Sequence, residues 1–581
     1  MANPRFKKLV SYLKPHLSPL YGGIFALLVV NIIGVYIPLL IRNIFDDLQS
    51  NFDFNLLIRY VIILFVLACI MWGIRMLSRV LIFGIGRQVE FDLKQKIFEH
   101  LLKLEPAYFS VNTSGDLINR ATSDVDNIRR LVGFAILSLI NTIFAYGLTL
   151  PAMLSINVKL SLMALAIYPL MLITVQLFSD RLREAQADVQ EKLSDISELV
   201  QEDMSGISLI KIYAQEDNER KAFAQKNEKL LDANLKLAQT RNLLFPIIGG
   251  IANISLLILL WLGTGDIDKG ILTVGDLIAL ILYVERLVFP TALLGFTITT
   301  YQRGEVSIDR IEAIMEVEAK ISDTPSSVSL PIEQVKGEIK GVNLTYTYPN
   351  RKTPALDHLN FTIKPGQMVA IVGLVGSGKS TLANAIPHLL DISSGQLFLD
   401  GIDLTTINLD DVRRAIAYVP QESFLFSTTI ENNIAYSDPL GNTSEVEYVA
   451  KQAQIHEEII NFPKQYQTLV GERGISLSGG QRQRSSLARA LYVDAPILIL
   501  DDALSSVDNK TATQILANLK QERGKTIIFI THQLSAVQNA DQILVMESGK
   551  IVQSGKHEDL FTQDGLYKSL WQKHQLEEIL S

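Results

Sequence analysis

The sequence predicts two architectures in series: an α-helical domain of six membrane-length spans over residues 1–317, then an α/β domain built around a glycine-rich loop over 337–581. Two observations carry this. The chain has 581 residues, 48% of them hydrophobic, and a mean hydropathy of +0.23, which makes it too long for one domain and too apolar for an ordinary soluble protein. The long apolar runs fill the first 300 positions, and the remainder has soluble composition. The second observation is Gly373 to Thr381, read as GLVGSGKST, set between an apolar strand (Met368 to Val372) and a predicted helix (Ser380 to Leu390).

Six spans are expected at roughly 18–43, 56–86, 132–154, 159–179, 243–264 and 272–300, each long enough for a hydrocarbon core of about 30 Å. Ser155-Ile156-Asn157 leaves room only for a tight hairpin between the third and fourth. Lys and Arg crowd the N-terminus and the stretches 87–130 and 181–241, whereas the linkers at 44–55 and 264–270 are mainly acidic. That asymmetry predicts a multi-pass protein of the inner (plasma) membrane with both termini cytoplasmic. The start, MANPRFKKLVSYLKPH, has no short apolar core with a cleavage site, so the first span is expected to direct insertion itself. The two basic inside stretches are long and helix-patterned, which makes the turns at 111–116 and 212–216 candidate contacts to the soluble part.

Charges within the spans are few. Arg75 and Arg79 lie near the inner end of the second, where long side chains snorkel to the interface. Glu285 and Arg286 fall mid-span in the sixth. Adjacent helical residues point about 100° apart, so the two cannot share one face. Each needs its own partner or a wet cavity, and the choice between substrate contact and structural pairing stays open.

A net charge of −8 and the absence of a basic tract argue against a nucleic-acid partner. The one cysteine, Cys69, excludes an internal disulfide. Residues 318–336 lose apolar periodicity and read as a linker.

In the soluble part, Gly373, Gly376 and Gly378 allow consecutive N–H groups to curl around a polyphosphate at a helix N-terminus. Lys379 would then bridge the β- and γ-phosphates, Ser380 would ligate Mg²⁺, and Ser377 and Thr381 complete the loop. Tyr348, ahead of it, either stacks on an adenine ring or is one more strand aromatic. Gln421 ends a short strand, Ala415 to Val419, and is a candidate to hold metal or water. Ser478-Gly479-Gly480-Gln481 opens a second helix and makes a second anion site, which suggests that one of the two serves a neighbouring copy. The apolar strand Ile497 to Leu500 ends in Asp501, placed to hold Mg²⁺, and Asp502, placed to orient a water. Thr526 to Ile530 delivers His532, whose imidazole can donate to a γ-phosphate.

Together these residues resemble the ATP-binding cassette family, specifically half-size exporters with six transmembrane helices ahead of one nucleotide-binding domain that carries its own helical subdomain. The phosphate loop at 373–381, Gln421, the LSGGQ signature at 477–481, Asp501, the Ser505-Ser506-Val507-Asp508 turn and His532 stand in the family's order and spacing. Residues 468–474 and 115–124 resemble the exporter segment ahead of the signature and the first intracellular loop. The resemblance implies a dimer with two ATP molecules, each between one chain's phosphate loop and the other's signature. It implies export of amphipathic drugs, lipids or peptides by alternating access, with a homodimeric lipid flippase or an ATP-gated membrane protein as alternatives.

One position departs. These exporters usually carry glutamate after the magnesium aspartate, and this chain has Asp502. A carboxylate shorter by one methylene looks like the weaker half of heterodimeric bacterial multidrug exporters, which favours a different half-transporter as partner over a second copy.

Overall fold

The computed structural model describes residues 4–50, 53–349, 351–521 and 524–580. They form two compact units, Met1–Leu102 with Thr113–Val317, and Lys103–Asn112 with Glu318–Ser581.

The first unit is all helix. Among the described residues six helices are long and apolar enough to cross a membrane: α1 (Lys7–Gln49), α2 (Phe54–Leu101), α3 (Ser114–Ile156), α4 (Val158–Ser205), α5 (Glu216–Asp268) and α6 (Val274–Met315). At 42 to 53 residues each and about 1.5 Å per residue, they outrun a core of about 30 Å by a similar length again. Pro38, Pro151, Pro246 and Pro290 lie inside them, tolerated because neighbouring helices and local backbone adjustments satisfy the freed carbonyls. Asn157 makes the α3–α4 hairpin: its backbone is extended and its side chain accepts from the Leu160 N–H, capping α4. Thr273 and Asp276 form a reciprocal cap that starts α6. Half of the most apolar stretch of α6 is buried and none of that of α2 is. The apolar face of α2 therefore needs lipid or another chain to cover it. Arg75 and Arg79 are exposed on α2, and the Arg75 guanidinium lies 3.5 Å from the Met71 sulfur.

The turn expected at 111–116 is preceded by a short helix, Pro106–Val111, and Lys103–Asn112 folds with the second unit. Pro106 at its first position explains the restart after α2. The turn at 212–216 is present: Ile207–Ile212 is helical, Ala214 sits at φ +48, and α5 begins at Glu216.

The second unit holds two sheets. Four strands, β1 (Ile339–Tyr346), β2 (Leu356–Ile363), β4 (Leu397–Leu399) and β5 (Ile402–Asp403), form an antiparallel sheet in the order β2-β1-β4-β5. The larger sheet runs β10-β9-β3-β8-β7-β6, with β3 (Met368–Gly373), β6 (Ile416–Val419), β7 (Ile497–Asp501), β8 (Thr526–Ile530), β9 (Gln542–Glu547) and β10 (Lys550–Gly555). All of its pairings are parallel except that of edge strand β10. Strands β3, β7 and β8 are buried at every residue, as continuous apolar runs in a doubly covered parallel sheet should be.

The helix after the glycine loop, α7 (Lys379–Ala385), is shorter than the sequence pattern suggests. Pro387 lacks an N–H and His388 turns to φ +52, so the helix ends early. The stretch 318–336 is no loose connector either. Leu330 is buried, Val328 bridges Ile407, and the Asp411 carboxylate accepts from the Ser329 hydroxyl and the Leu330 N–H.

Candidate functional site

The strand order assembles the site. With β3, β8, β7 and β6 side by side and parallel, their C-terminal ends deliver the glycine loop, Thr531-His532, Asp501-Asp502 and Pro420-Gln421 to one edge of the sheet. Ligands of open parallel sheets bind at that edge.

The loop's conformation is one only glycine supplies. Gly378 caps α7 at φ +99, and a Cβ there would lie 2.5 Å from the Ala355 carbonyl oxygen. Gly376 has φ +81 and open space where a Cβ would be. That open concavity next to a helix N-terminus is what a phosphate cradle requires. Lys379 is 6% exposed, and its ammonium donates to the carbonyls of Gly373 and Leu374, both at 2.9 Å. Ser377, also buried, has its hydroxyl 3.5 Å from the same ammonium. Thr381 lies 3.3 Å from the Tyr348 hydroxyl, and the half-buried Tyr348 ring sits edge-on to Tyr346 at 5.0 Å. Tyr348 thus stands beside the loop.

Ser380 and Asp501 meet directly, hydroxyl to carboxylate, at 3.0 Å. The other Asp501 oxygen accepts from Tyr418 at 3.3 Å, and Tyr418 is 3.0 Å from the Asn384 amide oxygen. A serine hydroxyl and one carboxylate are hard oxygen donors of the kind Mg²⁺ takes together with phosphate oxygens. Among the described residues no three His, Cys, Asp or Glu cluster to hold a metal, so a cation here would complete its shell with the polyphosphate and water. Burial, above all, raises the Asp501 carboxyl above its ordinary range against the pull of Ser380, Tyr418 and Lys379. Asp502 is raised for the same first reason, and Lys379 is lowered by burial while the two aspartates oppose that shift. One buried cation facing two costly carboxylates is an electrostatic deficit that a divalent ion relieves.

Asp502 sits in the left-handed region at φ +49. Its N–H donates to the Ile530 carbonyl at 3.0 Å, and its own carbonyl accepts from the Ser505 N–H at 3.3 Å. His532 and Gln421 are exposed at the ends of β8 and β6.

The second anion site stands apart. Ser478 caps α8 (Gly479–Tyr492) reciprocally with Gln481. The Gln481 amide donates to Glu458 at 2.8 Å, and Arg484 donates to the same carboxylate at 2.6 Å. A Cβ on Gly480 would lie 2.9 Å from the Ser506 carbonyl, and Gly479 also packs on Ser506. Among the described residues none of the hydrogen bonds of this segment reaches the glycine loop. Sequence reasoning passes over Gln483, which donates to the Ser505 hydroxyl at 2.9 Å and accepts from the Ser506 N–H at 2.8 Å. Its signal was legible: a glutamine at a buried helix position four residues before Leu487. Tyr418, Asn384 and Glu458 carry no such signal.

The mid-span pair divides as helical geometry demands. Arg286 points to α1, donating to the Asn31 carbonyl at 3.1 Å and its side-chain oxygen at 3.0 Å, and the Asn31 amide donates to Asn141 of α3. Glu285 points instead into a cavity of about 530 Å³ between α5 and α6.

A glycine loop at a helix N-terminus with a hydroxyl–carboxylate pair and a second carboxylate on the same sheet edge, on a chain whose described residues include six membrane-length helices, fits a membrane-spanning nucleotide-binding protein. The chain belongs to the ABC transporter family: residues 20–291 match the ABC transporter transmembrane region and 356–505 match the ABC transporter family model. It is an ATPase whose hydrolysis is coupled to transport. It is 34% identical to the multidrug resistance-like ATP-binding protein MdlA of Escherichia coli, over 99% of this chain and 97% of that one. It is 31% identical to an ATP-dependent lipid A-core flippase of Syntrophus aciditrophicus, over 98% and 94%. Among solved structures, a bacterial Atm1-family ABC exporter with ATP bound superposes with a TM-score of 0.79 at 25% identity, covering 96% of this chain and 99% of that one.

Proposed function

We propose that this chain drives export of amphipathic molecules across the cytoplasmic membrane by alternating access, as one half of a dimer that closes on two ATP molecules. The observation that carries the reading is a half-site in each of two places. The loop at 373–381, Asp501, Asp502 and His532 share one sheet edge, while Ser478 to Gln481 bond elsewhere. Each half is completed by the other half of a second chain. The uncovered apolar face of α2 supports the same partner or lipid contact.

In this reading Tyr348 stacks on the base, and Lys379 exchanges its bonds to the loop carbonyls for phosphate oxygens. Ser380, Asp501 and Gln421 would hold Mg²⁺, which would supply positive charge to offset that of the phosphates. Asp502 orients the attacking water, and His532 donates to the γ-phosphate. Lys103–Asn112 folds with the soluble unit yet is continuous with α2 and α3, which supports its passing nucleotide-driven motion to the membrane helices. The basic inside stretches support cytoplasmic termini.

Asp502 favours a partner half-transporter with the longer carboxylate. Native co-purification tests this, and recovery of a single kind of chain leaves the homodimer. The export reading is tested in proteoliposomes: Lys379→Ala should abolish both ATP hydrolysis and substrate movement. Transport that survives the change, or current without net pumping, overturns it.

A further inference from the structure

We propose that Glu285 is the fixed counter-ion of a binding site for lipophilic organic cations, in the cavity between α5 and α6. This rests on the export reading and deepens it by naming the substrate class. The cavity, about 530 Å³, falls in the size range of sites for drug-like molecules. Its lining is apolar or aromatic, with Phe245, Phe289, Leu256 and Ile281 among the residues; only Glu285 and Asn253 bring polar side chains. Glu285 lies eleven residues after Val274, which at about 1.5 Å per residue puts it about halfway through a core of about 30 Å.

A carboxylate at that depth is costly unless it is paired or wetted. The adjacent cation cannot serve, because Arg286 is spent on Asn31 of α1. Among the described residues Glu285 has no hydrogen bond or ion pair of its own. Its charge is thus left for a ligand. Phe245 and Phe289 add ring faces that favour a cation a second time, and Asn253 offers a hydrogen bond without opposing charge. An amphipathic phosphate or carboxylate would instead meet like charge in a place of low dielectric. The cavity therefore selects against anionic lipid headgroups and for delocalised or quaternary cations.

The test uses two ions of equal size and shape and opposite charge, tetraphenylphosphonium and tetraphenylborate. Equilibrium binding of each radiolabelled ion is measured on the purified full chain, with any co-purifying partner, in detergent. Taking the ratio of affinities and comparing it between wild type and Glu285→Gln cancels partition into the micelle. The expected result is a wild-type ratio favouring the cation by about tenfold or more over that of Glu285→Gln, with Glu285→Asp keeping most of the preference. The same ratio in wild type and Glu285→Gln overturns the proposal, and so does a variant that loses both ions alike, since that marks Glu285 as a strut between helices. ATP-driven movement of a neutral amphipath in proteoliposomes checks the export reading separately. Its failure with charge selectivity intact removes export and leaves the site; its success without selectivity removes only the site.

Discussion

Replacing Asp502 by glutamate tests the catalytic reading at its one departure from the usual pattern. The Asp502 backbone is held by hydrogen bonds to Ile530 and Ser505 just past the tip of β7, so its carboxylate cannot advance to make good a missing methylene. The longer side chain moves the carboxylate outward by about 1.5 Å, and a displacement of that order at a water-positioning group is worth about 100-fold in rate, or about 2.7 kcal/mol of barrier. The backbone opposes the change. Asp502 lies at φ +49, where aspartate is better tolerated than glutamate, and the strain costs about 1 kcal/mol of folding stability. Activity should rise while the unfolding midpoint falls slightly.

The size of the gain also reports on the partner. With two sites turning over in parallel, a homodimer carries the slow residue twice, and Asp502→Glu should raise total hydrolysis by about 100-fold. If the other half already has a fast site, correcting the slow one raises the total by only about twofold. The assay is Mg²⁺-ATP hydrolysis at saturating ATP in proteoliposomes, with thermal unfolding alongside. A rate unchanged or lowered in a protein whose melting point has barely moved would refute the water-positioning role of Asp502.

Three further changes probe the same domain. Gly378→Ala puts a methyl group 2.5 Å from the Ala355 carbonyl at φ +99; about 2 kcal/mol or more of strain should weaken ATP binding more than tenfold, read by titration with a fluorescent nucleotide. Gln483→Leu removes the bonds to Ser505 and Ser506 and leaves a polar group short of a partner at about 1–3 kcal/mol; steady-state kinetics should show kcat falling with KM for ATP nearly unchanged. Asp501→Asn removes a carboxyl that burial raises above its ordinary range. With the folded value above the unfolded one, the native chain binds more protons between the two, so this group's contribution to stability falls as pH rises through that window. Thermal unfolding of the nucleotide-free full chain should show the variant less sensitive to pH in the window just above the ordinary carboxylate value and more stable once pH exceeds it, while Mg²⁺-dependent hydrolysis is lost; matching pH profiles would sink the account.

The sequence was most legible where a residue type has one physical use. The glycine loop, the buried apolar strands and the mid-span charges could be read because backbone freedom, continuous hydrophobicity and desolvation each leave a local mark. Sheet order left none: that β8 inserts between β3 and β7, bringing His532 beside the glycine loop and Asp501, is a non-local fact. Strands β4 and β5, at three and two residues, are too short for a period to show. The stretch 318–336 read as a linker because it is held by polar and backbone contacts, from Asp411, from Asp400 and at the bridge to Ile407, which leave no hydrophobic period. The roles of Glu285 and Arg286 could be separated by helical geometry, but only the packing tells which one faces a helix and which one a cavity.

The two half-sites of the chain are separate in space but not in mechanics. Gln483, on the signature helix α8, donates to the Ser505 hydroxyl, and the Ser505 N–H donates to the Asp502 carbonyl at 3.3 Å. Under the dimer reading, α8 touches the nucleotide bound by the other chain, whereas Asp502 works on this chain's own. In that reading a shift of α8 on closing over the neighbour's phosphates would pass through two hydrogen bonds to the backbone that carries the Asp502 carboxylate. The Gln483 carbonyl accepts from the Ser506 N–H, which fixes the orientation of the amide that donates to Ser505. In the heterodimer reading such a linkage would let a nucleotide held at one site set the water geometry at the other, so that a site that hydrolyses slowly would still have a structural task, to hold α8 in place for its neighbour.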